Sequence, residues 1–274
     1  MQFKQVAVFY NEQKPQNAPL ASEVAAWFTA HGVQTRVVTS FENLSAADLL
    51  ICMGGDGAML RCAREAAPYN IPILGINCGT LGFLAACEKT EFEQTLTDLL
   101  DGKLQLQTRT MLAVGVQFPD GKTSRFLALN DCILRADKPR ALTIEAAFNG
   151  RPLPPYFGDG VLVSTPTGST AYALAAGGPI VAPGVEGLLV TPVCPHTLTQ
   201  RPLLLAADGL LELYPGGKNA QDGICLNMDG QENLTLPHGT RIQIRQSDIQ
   251  AKLFMHPKRD FFAMLNRKLN WGSR

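Results

Sequence analysis

Asp48-Leu49-Leu50-Ile51-Cys52-Met53-Gly54-Gly55-Asp56-Gly57-Ala58-Met59-Leu60 carries the reading of the fold. A short unbroken apolar run suits a strand covered on both faces, and it ends on glycines that free the backbone to turn. One carboxylate, Asp56, stands in that turn among residues without side chains. Backbone N–H groups there can approach a phosphate closely, and a base there can meet a hydroxyl. A second polar loop, Ser164-Thr165-Pro166-Thr167-Gly168-Ser169-Thr170-Ala171-Tyr172, follows another strand-like run about a hundred residues later. Together the two loops point to phosphoryl transfer.

Working outward, the first hundred or so residues alternate strand and helix signals. Val6–Phe9 is a buried-strand run. Pro19–His31 places Leu20, Val24, Trp27 and Phe28 on one helical face before Gly32. Val33–Val38 and Leu49–Met53 read as strands, Ala58–Ala67 as helix, and Ile71–Ile76 as a further strand. The β-α-β order predicts a parallel sheet whose ligands sit beyond the strand carboxyl ends. From about Gln107 the pattern becomes mostly β. Met111–Phe118, a turn at Pro119-Asp120-Gly121-Lys122 and the run Phe126–Leu134 predict a hairpin, and Thr143–Phe148 leads into Asn149-Gly150, a strong hairpin-turn pair. Further strands are expected at Gly160–Ser164, Gly187–Thr191, Leu203–Ala206, Gly209–Leu213, Asn233–Leu236, Thr240–Gln246 and Ile249–Phe254. Gly168-Ser169-Thr170 is expected to open a helix over Ala171–Ala176, whose N-terminus would favour an anion. Phe261–Leu269 is helical in spacing. The expected division is residues 1–107 as an α/β domain carrying the Gly54–Gly57 loop and 108–255 as a β-rich domain.

Composition bounds the function classes. With 274 residues, 46% hydrophobic and 18% charged, the chain can bury a sizeable core. Its formal net charge is zero, which gives no broad positive field and disfavours a nucleic-acid partner. No run approaches the length of a membrane span and no secretory signal opens the chain, so a soluble cytoplasmic protein without membrane attachment is expected. The seven cysteines are odd in number and scattered, and with the four histidines they give no zinc spacing. They are read as reduced and mostly packed as small apolar groups.

Taken in order, Gly54–Leu60, Leu74-Gly75-Ile76-Asn77 with Gly79–Leu84, Asn130-Asp131, and Gly158-Asp159-Gly160 running into Thr165–Tyr172 and Gly177-Gly178-Pro179 resemble the NAD kinases. The resemblance spans Val6 to about Phe262, and the stretch from Asp159 to Pro179 is its most specific part. It implies a Rossmann-like N-terminal α/β domain of the phosphofructokinase and diacylglycerol-kinase kind, rejoined by a C-terminal segment of about 256–274, plus a mostly β NAD-binding domain. It further implies transfer of a phosphoryl group from ATP, another nucleoside triphosphate or polyphosphate to the 2′-hydroxyl of the adenosine ribose of NAD, which would lie in a groove between the two halves. Asp56 is then the catalytic base. The substrate-binding set is Asp56, Gly57, Phe83, Asn130, Asp131, Asp159, Thr170, Ala171, Tyr172, Ala175 and Gln231, and the phosphate-binding set is Gly54, Gly55, Gly57, Arg61 and Arg140. Mg²⁺ or another divalent metal is expected to arrive with the nucleotide, with no protein ligand named. A homodimer or homotetramer built through the β-rich half is the implied assembly.

Each residue also has a plainer reading. Asp56 and Asp159 suit turn aspartates that bond their own backbone, Arg61 and Arg140 suit solvated arginines, and Asp229-Gly230 beside Gln231 suits a hairpin turn. His196 in Pro195-His196-Thr197-Leu198 has no catalytic partner at motif spacing and is read as packing. Ala58, where the family often has threonine, Asp131, where it usually has glutamate, and Ala175, where many members have serine, depart from the pattern. They keep open a non-catalytic NAD or NADP sensor. A lipid or sugar kinase of the same superfamily would share Asp56 but would not call for Asp159–Pro179.

Overall fold

The computed structural model describes residues 3–80, 82–138, 140–216 and 223–272. Leu81 of the Gly79–Leu84 motif and Pro139 beside Arg140 lie outside these. The chain forms two compact units, Met1–Arg109 with Ile249–Arg274, and Thr110–Asp248.

The first unit begins β1 (Gln5–Tyr10), α1 (Ala18–Ala30), β2 (Gln34–Val38), β3 (Leu49–Gly54), α2 (Asp56–Ala66), β4 (Ile73–Asn77), β5 (Cys87–Glu88) and α3 (Phe92–Leu100). Its strands run β2-β1-β3-β4, all parallel. Every residue of β3 is buried, as a strand covered on both faces by helices requires. Ala21, Val24 and Phe28 of α1 and Leu96 and Leu99 of α3 are fully sequestered with Val8, Ile51, Met53 and Ile76. Trp27 and Leu20 only flank this core, and the Trp27 ring stacks on His31 at 3.8 Å. The α3 segment carries apolar residues at Phe92, Leu96 and Leu99, so its helical spacing was present in the sequence although no helix was expected there.

The second unit contains β6 (Gln105–Gln117), which enters it from the first, then β7 (Thr123–Ala128), β8 (Asp131–Ala136), β9 (Leu142–Phe148), β10 (Arg151–Gly158), β11 (Gly160–Ser164), the single turn α4 (Tyr172–Ala175), β12 (Leu188–Val193), β13 (Leu203–Leu205), β14 (Leu211–Gly216), β15 (Ile224–Met228), β16 (Glu232–Leu236) and β17 (Arg241–Met255). One sheet is antiparallel in the order β13-β12-β11-β8-β15-β16, and β10, β9, β14 and the start of β17 form another antiparallel array. Leu134, Val161, Val163 and Leu226 from the first pack with Ile144, Leu211, Leu213 and Ile242 from the second in one core, the arrangement of two facing sheets. The last residues of β17 return to the first unit, where Leu253 pairs with Ile73 in parallel, and α5 (Phe261–Leu269) follows.

Three expectations are corrected. The run Phe126–Leu134 is not one strand but two, β7 and β8, belonging to different sheets; a tertiary contact bends the backbone at Leu129-Asn130. Thr240–Gln246 and Ile249–Phe254 are one strand, because the polar Ser247 is buried without breaking the extended backbone. The helix expected from Gly168-Ser169-Thr170 is a 3₁₀ turn, Thr167–Thr170, followed by α4 alone, too short to align a dipole useful to an anion. Strand β10 was masked in sequence by Pro152, Pro154 and Pro155. It lies at the end of its array with a register shift between Leu153 and Tyr156, where missing N–H donors are tolerated.

Asn149 and Gly150 form the two-residue turn joining β9 to β10, with φ of 51° and 73°. A Cβ at Gly150 would meet open space, so its substitution tests backbone conformation alone. Gly150→Ala is expected to cost about 1–2 kcal/mol, read as a lowered urea midpoint with an unchanged slope.

Candidate active site

Asp56 is the first residue of α2, directly after β3 has delivered the chain to Gly54-Gly55. A carboxylate in a helix's first turn is favoured by the unpaired N–H groups and the dipole there. Its orientation is set from elsewhere. The Phe83 N–H donates to Oδ2 at 3.0 Å and the Leu84 N–H donates to Oδ1 at 3.1 Å. Gly82 lies so close that a Cβ on it would overlap the carboxylate. Each oxygen keeps a lone pair, so the group is fixed in rotation while still able to accept a proton. At Gly54 a Cβ would come within 2.7 Å of Ala58 Cβ, whereas at Gly55 it would meet open space. Gly54 is therefore needed for the strand-to-helix turn, and Gly55 leaves room for an approaching group. Gly57 is exposed. Arg61, one turn on, lays its guanidinium over the rings of Phe41 and Phe9 at 5.2 and 5.7 Å.

In the second unit the Asn130–Asp131 turn hangs on a residue about a hundred positions downstream. Asp229 Oδ1 accepts the N–H of Asn130 at 2.8 Å and of Asp131 at 3.1 Å, and Oδ2 accepts that of Leu129 at 3.0 Å. The Thr165 hydroxyl donates to the Leu129 carbonyl at 2.6 Å, its N–H donates to the Asn130 carbonyl, and Gly168 sits against that carbonyl with no room for a side chain. The 165–168 turn and the 129–131 turn are thus one packed body. Asp131 is buried, and burial first, then the neighbouring Asp229 charge, push its carboxyl up to about 7. Across the sheet register stands Ser164, whose buried hydroxyl has no hydrogen-bond partner among the described residues.

The remaining expected residues are placed as follows. Thr170 donates its hydroxyl to the Thr167 carbonyl at 3.2 Å. Ala171 precedes α4, which buries Ala173 while exposing Tyr172 and Ala175, three residues apart on one face. Ser169, inside the same motif, is fully buried and bonds Pro166 and Val181, so it holds the loop together. Asp159 joins β10 to β11 and is exposed. Its flanking glycines are required by protein packing, Gly158 against the Cys194 carbonyl and Gly160 against that of Leu134. The Cys194 thiol is pushed above its usual value by a hydrogen bond to the Asp159 carboxylate and by its charge. Gln231 is exposed in the β15–β16 turn with its N–H on the Met228 carbonyl. Arg140 is exposed. His196 packs edge-on against Phe157, the centroids 4.9 Å apart.

Sequence reasoning missed the anchoring roles of Asp229, Thr165 and Ser169. For Asp229 no local signal exists, since Asp-Gly reads only as a turn, and both turn residues do adopt positive φ.

A fold of this kind, a parallel α/β unit ending a strand on a glycine-held carboxylate and a β unit carrying a second polar loop body, defines a nucleotide-dependent phosphotransferase class. The ATP-NAD kinase N-terminal domain model matches residues 11–104 and the C-terminal domain model residues 129–255. An NAD kinase of Geobacter metallireducens is 36% identical over 99% of this chain and 100% of its own length. Among solved structures, an Archaeoglobus fulgidus NAD kinase in complex with ATP aligns with a TM-score of 0.80 at 25% identity, covering 97% of this chain and 98% of the other. A yeast NADH kinase complexed with NADH shares the fold with a TM-score of 0.91 at 23% identity, covering 100% of this chain and 89% of the other. The chain belongs to the ATP-NAD kinase family.

Two substitutions test the geometry. Gly82→Ala is expected to displace the Asp56 carboxylate and lower NADP formation by about tenfold or more, following the cost of misplacing a reacting group, in a protein whose circular dichroism is unchanged. For Asp131 the sign follows from linkage. Its folded pKa lies above the unfolded value, so the folded state binds the extra proton and loses stability as pH rises from about 4 to about 7. Asp131→Asn is expected to flatten that slope, so the variant gains in melting temperature relative to the native chain at pH 8 but not at pH 4.

Proposed function

We propose that this protein makes NADP by transferring the terminal phosphoryl group of ATP to the 2′-hydroxyl of the adenosine ribose of NAD, with Asp56 as general base. The observation that carries the reading is the Asp56 carboxylate, fixed by two backbone N–H groups at the end of β3 with lone pairs to spare. The ribose oxygen attacks phosphorus, its proton passes to Asp56, and the bond to the β–γ bridging oxygen breaks to leave ADP. A positioned base of this sort typically contributes about 10² to 10⁴-fold. Placement supplies most of the rest, because phosphoryl transfer asks little covalent work of the protein.

Gly54, Gly55 and Gly57 are assigned to the phosphates, with Arg61 and Arg140 as compensating charge. Arg61 reaches a phosphate by leaving its two rings, which costs little since an exposed cation–π contact is worth about 0.5–1 kcal/mol. Phe83, Asn130, Asp131, Asp159, Thr170, Ala171, Tyr172, Ala175 and Gln231 are assigned to NAD. Among the described residues no three His, Cys, Asp or Glu side chains converge on a metal position. Mg²⁺ is assigned to the nucleotide phosphates, because this ion keeps several waters and takes few protein carboxylates. Such an ion neutralises charge on the transferred group.

The protein is assigned to the cytoplasm on its free thiols, none of them paired among the described residues, and to a homo-oligomer assembled through the β-rich unit. No helix among the described residues is long and apolar enough to cross a membrane.

The test is NADP formation from NAD, ATP and Mg²⁺ by the native chain and Asp56→Asn, with polyphosphate replacing ATP in a parallel arm. The variant is expected to lose about 10² to 10⁴-fold in kcat while still binding NAD by calorimetry. A native protein that binds NAD and forms no NADP would instead be a sensor, the alternative that the departures at Ala58, Asp131 and Ala175 leave open.

A further inference from the structure

We propose that the segment from Arg259 through α5 positions the Asp56 carboxylate by gripping the Asn77–Glu88 stretch that donates to it at two places, where its ends meet and at Phe83. The proposal rests on the reading of Asp56 as base, and every contact in it lies within the first unit.

At one end, Asn77, fully buried at the close of β4, donates from Nδ2 to Glu88 Oε2 at 2.7 Å and to the Gly79 carbonyl at 2.8 Å. Glu88 in turn faces Arg259, whose Nη1 is 3.8 Å from Glu88 Oε1 and buried without a hydrogen bond. Arg259 Nη2 donates to Glu91 Oε2 at 2.7 Å, and the Glu88 N–H donates to that same oxygen at 3.0 Å. The arginine side chain is only 12% exposed, unlike an ordinary surface ion pair. A fork held between two carboxylates ties Glu88, the last residue of β5, to the C-terminal chain.

Between the two ends stands Phe83. Its ring packs against Phe261 at 6.5 Å and lies beneath Lys268 Nζ at 5.0 Å. Asp260 caps α5, accepting from Phe262 and Ala263 N–H groups at 2.9 and 3.0 Å, which sets the direction from which Phe261 and Lys268 arrive. The Phe83 side chain is thus fixed by α5 while its own N–H donates to Asp56. Leu84, the other donor, is the next residue. The placement of the two amides thereby depends on this grip. Arg259 and Lys268 are positioning residues; neither is given a role at the reacting atoms.

The experiment uses the full chain and the variants Arg259→Ala, Lys268→Met and Lys268→Arg. Hydrogen exchange at the Phe83 and Leu84 amides is followed by mass spectrometry beside steady-state kinetics with NAD, ATP and Mg²⁺. Arg259→Ala and Lys268→Met are expected to lose about tenfold or more in kcat with little change in KM for ATP, and to exchange those two amides faster while β1 and β3 keep native protection. Lys268→Arg, which keeps a cation over the ring, is expected to restore both. A folded variant that keeps kcat within about twofold of native, or keeps native exchange at Phe83 and Leu84, overturns the proposal. Should Arg259→Ala not fold, Lys268→Met on the exposed face of α5 carries the same readouts. Native turnover in Asp56→Asn would sink the base assignment, whereas the exchange readout reports on the grip independently of turnover.

Discussion

A turning backbone exposes N–H groups that must find acceptors, and in this protein the decisive turns find them on aspartates. Asp229 takes three consecutive N–H groups at residues 129–131, Asp56 takes those of Phe83 and Leu84, and Asp48 takes those of Lys4 and Gln5 at the start of β1. Hydrogen bonds to a charged acceptor contribute about 1.5–3 kcal/mol each, more than neutral ones. An unpaired buried N–H costs a comparable amount. The Asp229 cluster matters most for architecture, because together with Thr165 it holds the turn at residues 129–131, where the chain passes from one sheet to the other. That turn is what brings Asn130 and Asp131 to the 165–168 loop.

The glycines follow the same logic from the steric side. Glycine-rich loops invite the interpretation that a phosphate needs the space, and Gly55 fits it. Gly82, Gly158, Gly160 and Gly168 instead lie where a Cβ would strike the Asp56 carboxylate or a neighbouring backbone carbonyl. Their smallness lets protein meet protein. Within each unit, close backbone packing therefore keeps these acidic and polar groups in place.

One consequence concerns Asp131. Its short side chain keeps the carboxyl buried beside Asp229 and across the sheet register from the orphaned Ser164 hydroxyl. Like charges in a desolvated setting resist joint ionisation. A protonated Asp131 can donate a hydrogen bond as well as accept one, which widens the chemistry this turn offers.

The sequence by itself determined the β-α-β order, the burial of β3, the turn at Asn149-Gly150, the C-terminal helix and the family, because these rest on local periodicity, on turn chemistry and on motif order along the chain. It could not show that Phe126–Leu134 splits, that Thr240–Phe254 is continuous, or that β10 forms a strand through three prolines. Those outcomes depend on a partner such as Asp229 about a hundred residues away, on what covers Ser247, and on an edge position in a sheet. Likewise Asp56 could be picked out as a carboxylate in a glycine turn, but its orientation belongs to Gly82, Phe83 and Leu84. Hydrogen bonds between segments far apart in sequence leave no periodic trace, so only the tertiary structure decides which residue holds which.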